Sequence, residues 1–285
     1  MFLIVGYVII LASALGTYGV HGSLAALWMP LEYVAIVGLT AGGFIAGNDI
    51  KLIKATIGAL PALFKGSKYS KALYVDLLAM LFEVLAKVRK EGLMSIENDV
   101  ENPHESPIFG KYPALSHDHH VMEFITDYLR MMVGGNLNAM EIENLMDIEI
   151  ETHHHEVMVP GHIMAKTADA TPAYGIVVAV MGVVNVMGSV GEPPAVLGKM
   201  IGGALVGTFL GILISYGFVA PIATLLEQKA EEGSKIYQVI KVVLLSSMSG
   251  YAPQVAVEFG RKVLFSGDRP TFIELETELK ARKGK

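Results

Sequence analysis

Four long uncharged runs alternate with polar segments along the chain. The runs cover 1–20, the stretch between Glu32 and Asp49, the stretch between Asp169 and Glu192, and the stretch between Lys199 and Glu227. About 20 apolar residues in a helix cross a hydrocarbon core of about 30 Å. The pattern therefore predicts four transmembrane helices. The second is short and is expected to fit through snorkelling end residues or a locally thinner bilayer.

The polar segment between the second and third runs shows helical periodicity instead of membrane hydropathy. Apolar residues recur at helical spacing over 67–90, ahead of Gly92. We expect three further helices: a short one capped by Ser95 and ending before Pro103, one over 117–133, and one from 138 to about 158. The predicted fold class is all-α, a polytopic membrane protein with four transmembrane helices and a cytoplasmic helical insert.

These patterns define four regions and an orientation. Transmembrane helices 1 and 2 occupy 1–48, the cytoplasmic helical domain 49–168, transmembrane helices 3 and 4 occupy 169–226, and a cytoplasmic C-terminal helical tail 227–285. Lysines follow the second span at positions 51, 54, 65, 68 and 71, and no acidic residue occurs between Ile50 and Val75. Basic residues beside span ends mark the cytoplasmic side. Both termini are therefore expected in the cytoplasm. The first run lacks the basic flank of a signal peptide, so we expect it to be retained.

Composition supports a membrane protein and narrows the possible chemistry. The chain is 52% hydrophobic and only 18% charged, with a mean hydropathy of +0.48. Soluble domains carry about 25% charged residues. A net charge of -6 without a basic run argues against a nucleic-acid partner and leaves membrane lipids as the expected surroundings. There is no cysteine, which excludes disulfides and thiolate sites. Nucleotide-binding and hydrolase motifs are also missing, so we expect neither enzymatic activity nor a cofactor.

The spans themselves carry no Asp, Glu, Lys or Arg. Ion pathways through membranes usually rely on an ionisable side chain, because an unscreened charge in hydrocarbon is costly. Either this chain conducts nothing, or a second protein supplies the carboxylate.

Small residues recur every four positions in spans two and four. Such spacing lets helix backbones approach closely, within one subunit or between subunits and partners. The glycines concerned are Gly38, Gly42, Gly43, Gly47, Gly203, Gly207 and Gly211. Hydroxyls in membrane helices usually bond to their own backbone. Thr208 is the exception that we single out, because it follows Gly207 where a partner helix could come close.

Two prolines and two histidine clusters have alternative interpretations. Pro172 indicates a helix start and Pro221 a kink, or both are hinges that connect the membrane to the insert. The clusters comprise His117, His119 and His120, and 153–155. Adjacent helical residues diverge by about 100° and cannot all reach one ion, which favours exposed polar surface over a metal site.

Five blocks resemble the MotA family of flagellar motor stator proteins, within the MotA/TolQ/ExbB proton channel family. They are AKVRKEGLMSIENDVENPHESPIF (86–109), DYLRMMVGGNLNAMEIENLMDIEIETH (127–153), TPAYGIVVAVMGVV (171–184), LVGTFLGILISYGFVAPIATLLEQK (205–229) and GYAPQVAVEFGRKVLFSGDRPTFIELE (250–276). The histidine-rich end of the second block is a departure to which the family pattern gives no meaning.

The resemblance implies a set of partners. Members of the family form a homo-pentamer in the bacterial inner membrane around two copies of MotB, whose single membrane helix brings an essential aspartate and whose outer domain binds peptidoglycan. The resemblance implies that ion flow past that aspartate rotates the ring. The cytoplasmic insert then pushes on the rotor protein FliG.

Individual residues take roles through the same resemblance. Arg89 and Glu97 match the charged positions that contact FliG. Pro172 and Pro221 match the prolines linked to ion flow and torque, and Thr208 matches the pore-lining threonine. Ala179 stands where sodium-driven relatives usually have threonine, so the missing hydroxyl favours protons over sodium as the transported ion.

Two other functions stay open from the sequence. One is an energiser of outer-membrane processes of the ExbB or TolQ kind, which has three spans and lacks the ENPHES and VEFGRK blocks. The other is a histidine-dependent membrane metal transporter, which would bind metal through 153–155. A membrane scaffold that conducts nothing is a third possibility.

Overall fold

The computed structural model describes residues 2–135 and 138–283. Within these ranges the chain is helical and contains no strand, which confirms the all-α fold. The α-helices are α1 (Phe2–His21), α2 (Leu24–Leu27), α3 (Pro30–Ala46), α4 (Ile50–Ala59), α5 (Lys71–Glu91), α6 (Glu97–Glu101), α7 (Pro113–Ser116), α8 (His119–Gly134), α9 (Ala139–Met187), α10 (Pro194–Ile214), α11 (Ala220–Met248), α12 (Pro253–Val263) and α13 (Phe272–Lys283). Short 3-10 turns cover Leu60–Phe64, Leu93–Ile96 and Phe109–Lys111, and a π-helical segment covers Ser215–Val219.

Four helical stretches are long and apolar enough to cross a membrane, as the hydropathy pattern predicts. They are Phe2–His21, Leu24–Ala46, Ala139–Met187 and Pro194–Met248. The first is almost entirely unburied by the rest of the chain, with Leu3 its one buried residue among those described. An apolar helix with so little protein around it is suited to contact lipid or another subunit.

The helix over the third span differs from the prediction. A break was expected between a helix ending near Met158 and a span beginning after Asp169. Instead α9 is a single helix of 49 residues with Pro160 and Pro172 inside it. The assignment of Pro172 to a helix start is therefore wrong. Each proline removes only one backbone bond, and α9 continues through Pro160 and the following Gly161 without a break.

The chain divides into two compact units, with one boundary between Gly66 and Ser67, one inside α9 and one inside α11. The first comprises Met1–Gly66 and Val157–Lys229, and the second Ser67–Glu156 and Ala230–Lys285. In the first unit, Ile36 of α3 is fully buried in one small apolar cluster with Val178, Val206 and Leu210. The first unit thus contains the four apolar spans together with both ends of the predicted insert, 49–66 and 157–168, and the start of the tail, 227–229. The second unit contains the middle of the insert and the rest of the tail.

The second unit is built around α5. Ser70 caps this helix by accepting a hydrogen bond from the backbone N–H of Leu73, and Leu77, Leu78 and Leu81 are fully buried. The helices α12 and α13 both pack on α5. This core explains why the C-terminal tail, polar as it is, folds with the insert: α12 and α13 supply apolar residues that cover surface which α5 would otherwise expose.

Two predicted helix ends move slightly, and one predicted cap is wrong. The helix expected over 117–133 is α8, which ends at Gly134 and is followed by Gly135 in the left-handed conformation. Ser95 does not cap a helix: it lies within the Leu93–Ile96 turn, and its hydroxyl donates to the carbonyl of Gly92. The short helix α6 begins only at Glu97. A serine hydroxyl can bond to several nearby carbonyls, so its sequence position does not specify which.

Gly92 ends α5 in a conformation that only glycine adopts readily. Its φ is 86° and its ψ 165°. A Cβ at this position would have nothing within 4 Å, so replacement by alanine tests the backbone conformation alone. We expect Gly92→Ala to destabilise the protein by about 1–3 kcal/mol and to lower the midpoint of thermal unfolding of the purified chain. Gly110→Ala is the matched control, since that site is equally open and has no positive φ. Equal midpoints for the two variants would contradict the argument.

Candidate functional site

Spans three and four meet through glycine. A Cβ added to Gly211 of α10 would lie 2.7 Å from the Cα of Gly175 on α9, and one added to Gly175 would lie 2.8 Å from the carbonyl oxygen of Gly207. A Cβ on Gly207 would lie 3.2 Å from the backbone nitrogen of Ala179. The two backbones are thus in direct contact, which small residues permit in membranes.

The small-residue spacing left open whether the glycines pack within one subunit or against other chains, and this contact answers that question for span four. Gly207 and Gly211 serve packing within one subunit. A Cβ added to Gly38 or Gly42 of α3 would meet nothing within 4 Å, so the face that carries these two glycines is open in the described chain. Gly43 instead lies against the hydroxyl of Tyr174 on α9.

The four residues expected along the ion path all lie on the membrane-spanning helices. Ala179 is buried beside Gly207, with 9% of its surface exposed. Thr208 and Pro172 are half-buried, as is Pro221. Pro221 follows the π-helical segment Ser215–Val219 at the start of α11. The helix pair therefore brings Ala179 close to the residue preceding Thr208, while the two prolines lie outside that contact.

Pro172 leaves a backbone carbonyl without its helical donor, and Ser215 supplies one. A proline has no N–H, so the carbonyl of Ala168, four residues earlier, lacks its usual partner. The Ser215 hydroxyl donates to that carbonyl at 2.5 Å, and Ser215 is fully buried. We expected membrane hydroxyls to bond to their own backbone. Thr171 does so, donating to the carbonyl of Thr167 at 2.7 Å, but Ser215 bridges two helices instead.

Ser215 is thus the residue that sequence reasoning missed. The four-residue offset between Ala168 and Pro172 predicts an unpaired carbonyl, but only the fold shows which hydroxyl reaches it. A second hydroxyl contacts the same π-helical segment: Tyr7 on α1 donates to the carbonyl of Phe218 at 2.7 Å. Short π-helical segments inside α-helices frequently occur at functional sites.

Arg89 and Glu97 lie on the surface of the other unit. Arg89 is in the last turn of α5, Glu97 begins α6, and both are exposed. The two helices are tied by Lys87, whose ammonium contacts the buried carboxylate of Asp99 at 2.7 Å. Within the described ranges, neither Arg89 nor Glu97 takes part in an ion pair. The arrangement presents two unpaired charges of opposite sign on a rigid support.

The histidines of 153–155 lie in different environments. The ring of His153 packs on Tyr237 with centroids 4.7 Å apart, and His154 shares a hydrogen bond of 2.8 Å with Ser234. His155 is exposed. Burial, and then the neighbouring His120, lower the pKa of His153. Among the residues that the structure describes, no group of three His, Cys, Asp or Glu side chains could hold a metal ion.

Together, these features define a polytopic α-helical membrane protein whose uncharged third and fourth spans pack backbone to backbone and whose polar unit displays two unpaired charges. Comparison with known proteins gives the family. The Motility protein A N-terminal model matches residues 4–92, and the MotA/TolQ/ExbB proton channel family model matches 116–239.

Individual relatives agree with these matches. The chain is 52% identical over 284 residues to Motility protein A of Escherichia coli (strain K12), covering 99% of this chain and 96% of that protein. It is 32% identical over 280 residues to Chemotaxis protein LafT of Vibrio parahaemolyticus, covering 98% of both. The fold matches the structure of C. jejuni MotAB with a TM-score of 0.76 at 21% identity, covering 95% of this chain and 98% of that one.

The chain belongs to the MotA family of flagellar motor stator subunits. The N-terminal match and the near-complete coverage by motility proteins place it with these, and not with the ExbB and TolQ energisers that share the wider family.

Proposed function

We propose that this chain forms, with MotB, an ion channel that converts the ion-motive force into torque on the rotor protein FliG. The observation that carries the proposal is the glycine-packed pair of spans three and four, which lacks a charged residue between Asp169 and Glu192 and between Lys199 and Glu227. An ion path along such helices needs a carboxylate from a partner. The C. jejuni structure and one from Bacillus subtilis are both described as MotAB, which supports MotB as that partner.

The proposed assembly is a homo-pentamer around two copies of MotB in the bacterial inner membrane, with both termini in the cytoplasm. Large apolar side chains remain exposed along α9 and α10 and offer surface for neighbouring copies, the partner helix and lipid. They include Ile176, Val180, Met181, Val184, Met187, Ile201, Leu205 and Ile212. Lysines 51 and 54 at the start of α4, just beyond span two, support the orientation.

Protons are the proposed ion. Ala179 is buried against the backbone of α10 and offers no side-chain oxygen, whereas sodium prefers oxygen ligands. Thr208 would line the path. A proton that neutralises the partner's aspartate removes a desolvation penalty of several kcal/mol. A proton that crosses the whole membrane releases about 2.3 kcal/mol per 100 mV of membrane potential. These energies are similar in size, so neutralisation of the aspartate can gate one step of the ring. No catalytic reaction is involved.

Complementation tests the proposed function. The chain is expressed in Escherichia coli that lacks its own motility protein A, and swimming speed is recorded. We expect swimming to be restored with the resident MotB, and the speed to follow external pH and to be unchanged by sodium. Restoration with a speed proportional to sodium would reject the proton assignment. A membrane-inserted chain that never restores swimming, with either this MotB or the one from its own source, would reject the stator function.

Charge reversal tests the rotor-facing residues. We expect Arg89→Glu to reduce swimming partially, because an exposed ion pair contributes about 0–1 kcal/mol and steers contact more than it holds it. The loss should deepen in the double variant with Glu97→Lys. Lys90→Glu is the control, since Lys90 is the neighbouring exposed cation, with 83% of its side chain exposed. Normal swimming of the double variant would remove Arg89 and Glu97 from the rotor contact.

A further inference from the structure

Pro172 and Pro221, the prolines that the family resemblance links to ion flow and torque, are connected through one buried hydroxyl. Ser215 donates to the carbonyl of Ala168, which Pro172 leaves without a helical donor. The same serine begins the π-helical segment Ser215–Val219, which ends directly before Ala220 and Pro221. The side chain of Ser215 therefore bonds to the carbonyl that Pro172 leaves unpaired in α9. Its backbone belongs to the π-helical segment of the fourth span.

We propose that Ser215 is a positioning residue that couples the hinge at Pro172 to the hinge at Pro221. The inference rests on the proposed stator function and on the role in torque that the family resemblance implies for both prolines, whereas the bond from Ser215 to Ala168 is a property of the fold. A movement at either proline that separates the two helices must break the bond between the Ser215 hydroxyl and the Ala168 carbonyl.

The surroundings make this bond the only strong polar link at this level of the described helix pair. Ser215 is fully buried and so is Thr171, whose hydroxyl is already donated to the carbonyl of Thr167. The hydroxyl of Thr40 reaches Thr171 only at 3.5 Å, at the limit of a hydrogen bond. In such a dry environment water cannot replace a lost donor, so a broken bond leaves the carbonyl of Ala168 unsatisfied.

The two neighbouring backbones hold the hydroxyl in place. A Cβ on Gly211, one turn before Ser215, would lie 3.3 Å from the carbonyl oxygen of Thr171, one turn before the Gly175 contact. The glycine contact therefore brings α9 and α10 close enough for a side chain as short as serine to reach the opposite backbone. Separation of the helices by one side-chain layer would place the carbonyl out of its reach.

A double-mutant cycle tests the coupling. Ser215→Ala removes the donor and should lower the unfolding midpoint of the purified full-length chain by roughly 5 °C, because a buried carbonyl is left unpaired. Pro172→Ala restores a backbone N–H that can serve the same carbonyl. In the Pro172→Ala background, Ser215→Ala should therefore have little further effect on the midpoint. Additive effects of the two changes would overturn the proposed link.

Swimming speed at normal membrane abundance distinguishes a positioning role from a merely structural one, because a merely structural role would leave the speed unchanged. Ser215→Ala at a temperature well below its midpoint, with normal membrane abundance, should slow swimming, and Ser215→Thr, which keeps the hydroxyl, should restore it. The control is Thr224→Ala, because the Thr224 hydroxyl donates within its own helix to Ala220 and is exposed. Normal speed of Ser215→Ala at normal abundance would overturn the positioning role. The double-mutant cycle is measured by unfolding of the purified chain and needs no motility. The stator function is tested separately, by complementation with the unmodified chain, so failure of one proposal is distinguishable from failure of the other.

Discussion

Replacement of Gly211 by valine is expected to abolish swimming while the same change at Gly202 leaves it nearly normal. Both glycines lie on α10, and both changes add the same side chain. At Gly211 the new Cβ would lie 2.7 Å from the Cα of Gly175 and 3.1 Å from its backbone nitrogen, whereas at Gly202 it would meet nothing within 4 Å. Backbone atoms cannot rotate aside as a flexible side chain can, so α9 and α10 must separate.

The expected cost of that separation is larger than overpacking of a soluble core. Overpacking typically costs about 1–3 kcal/mol when side chains can adjust. Here the displaced helices also lose the bond between Ser215 and Ala168, which depends on their close approach. We expect Gly211→Ala to give an intermediate phenotype, since it adds one carbon. The measurement is swimming speed in the complementation assay, together with the amount of chain in the membrane.

Two outcomes would contradict this argument. Normal swimming of Gly211→Val would show that the helix contact is dispensable for function. An equal loss in Gly202→Val would show that valine is harmful anywhere on α10, so that the contact with Gly175 explains nothing.

The spans were predictable because a single physical requirement specifies them. Any helix that crosses hydrocarbon needs about 20 uncharged residues, and this requirement depends on no other part of the chain. The core helix α5 was predictable for a similar reason, since its apolar face repeats at helical spacing and Gly92 ends it.

The errors arise where several local signals compete or where the partner is distant. Pro172 resembles a helix start locally, yet α9 continues through both Pro160 and Pro172, and the carbonyl that Pro172 leaves unpaired receives a donor from Ser215. Ser95 has several carbonyls in reach, and the structure selects that of Gly92. The donor for Ala168 lies 47 residues along the chain, so only the packed helices reveal Ser215. Local pattern thus predicts elements well, whereas contacts between elements need the fold.

Replacement of Arg261 by methionine is expected to destabilise the polar unit strongly. Arg261 is on α12 and only 6% exposed. Its guanidinium donates to the Glu258 carboxylate, with Nε to Oε2 at 2.7 Å, and to the carbonyl of Pro270 at 2.8 Å. Methionine keeps the apolar stem but leaves both acceptors without this donor. Breaking a buried pair costs about 3–5 kcal/mol, and we expect the lower part of this range because Glu258 is partly exposed.

The pH dependence of the unfolding midpoint tests whether the Glu258 carboxylate causes the destabilisation in Arg261→Met. The hydrogen bond from Arg261 lowers the pKa of Glu258 below its ordinary value. A carboxylate with a depressed pKa stabilises the folded protein above the unfolded-state pKa of about 4.3, and that stabilisation is lost as the pH falls through the folded-state value. The gap in unfolding midpoint between wild type and Arg261→Met should therefore be large at neutral pH and narrow as the pH falls below about 4.

Arg130→Met is the matched control. Arg130 also contacts two carboxylates, those of Glu101 and Asp127, each at 2.7 Å, but 48% of its side chain is exposed. Solvent screens such pairs, so this change should cost only about 0–1 kcal/mol. If Arg130→Met lost as much stability as Arg261→Met, the loss would follow from removal of the charge and not from its burial. An Arg261→Met variant with a normal midpoint at neutral pH would show that the bonds of Arg261 to Glu258 and to the Pro270 carbonyl do not contribute to the stability of this unit.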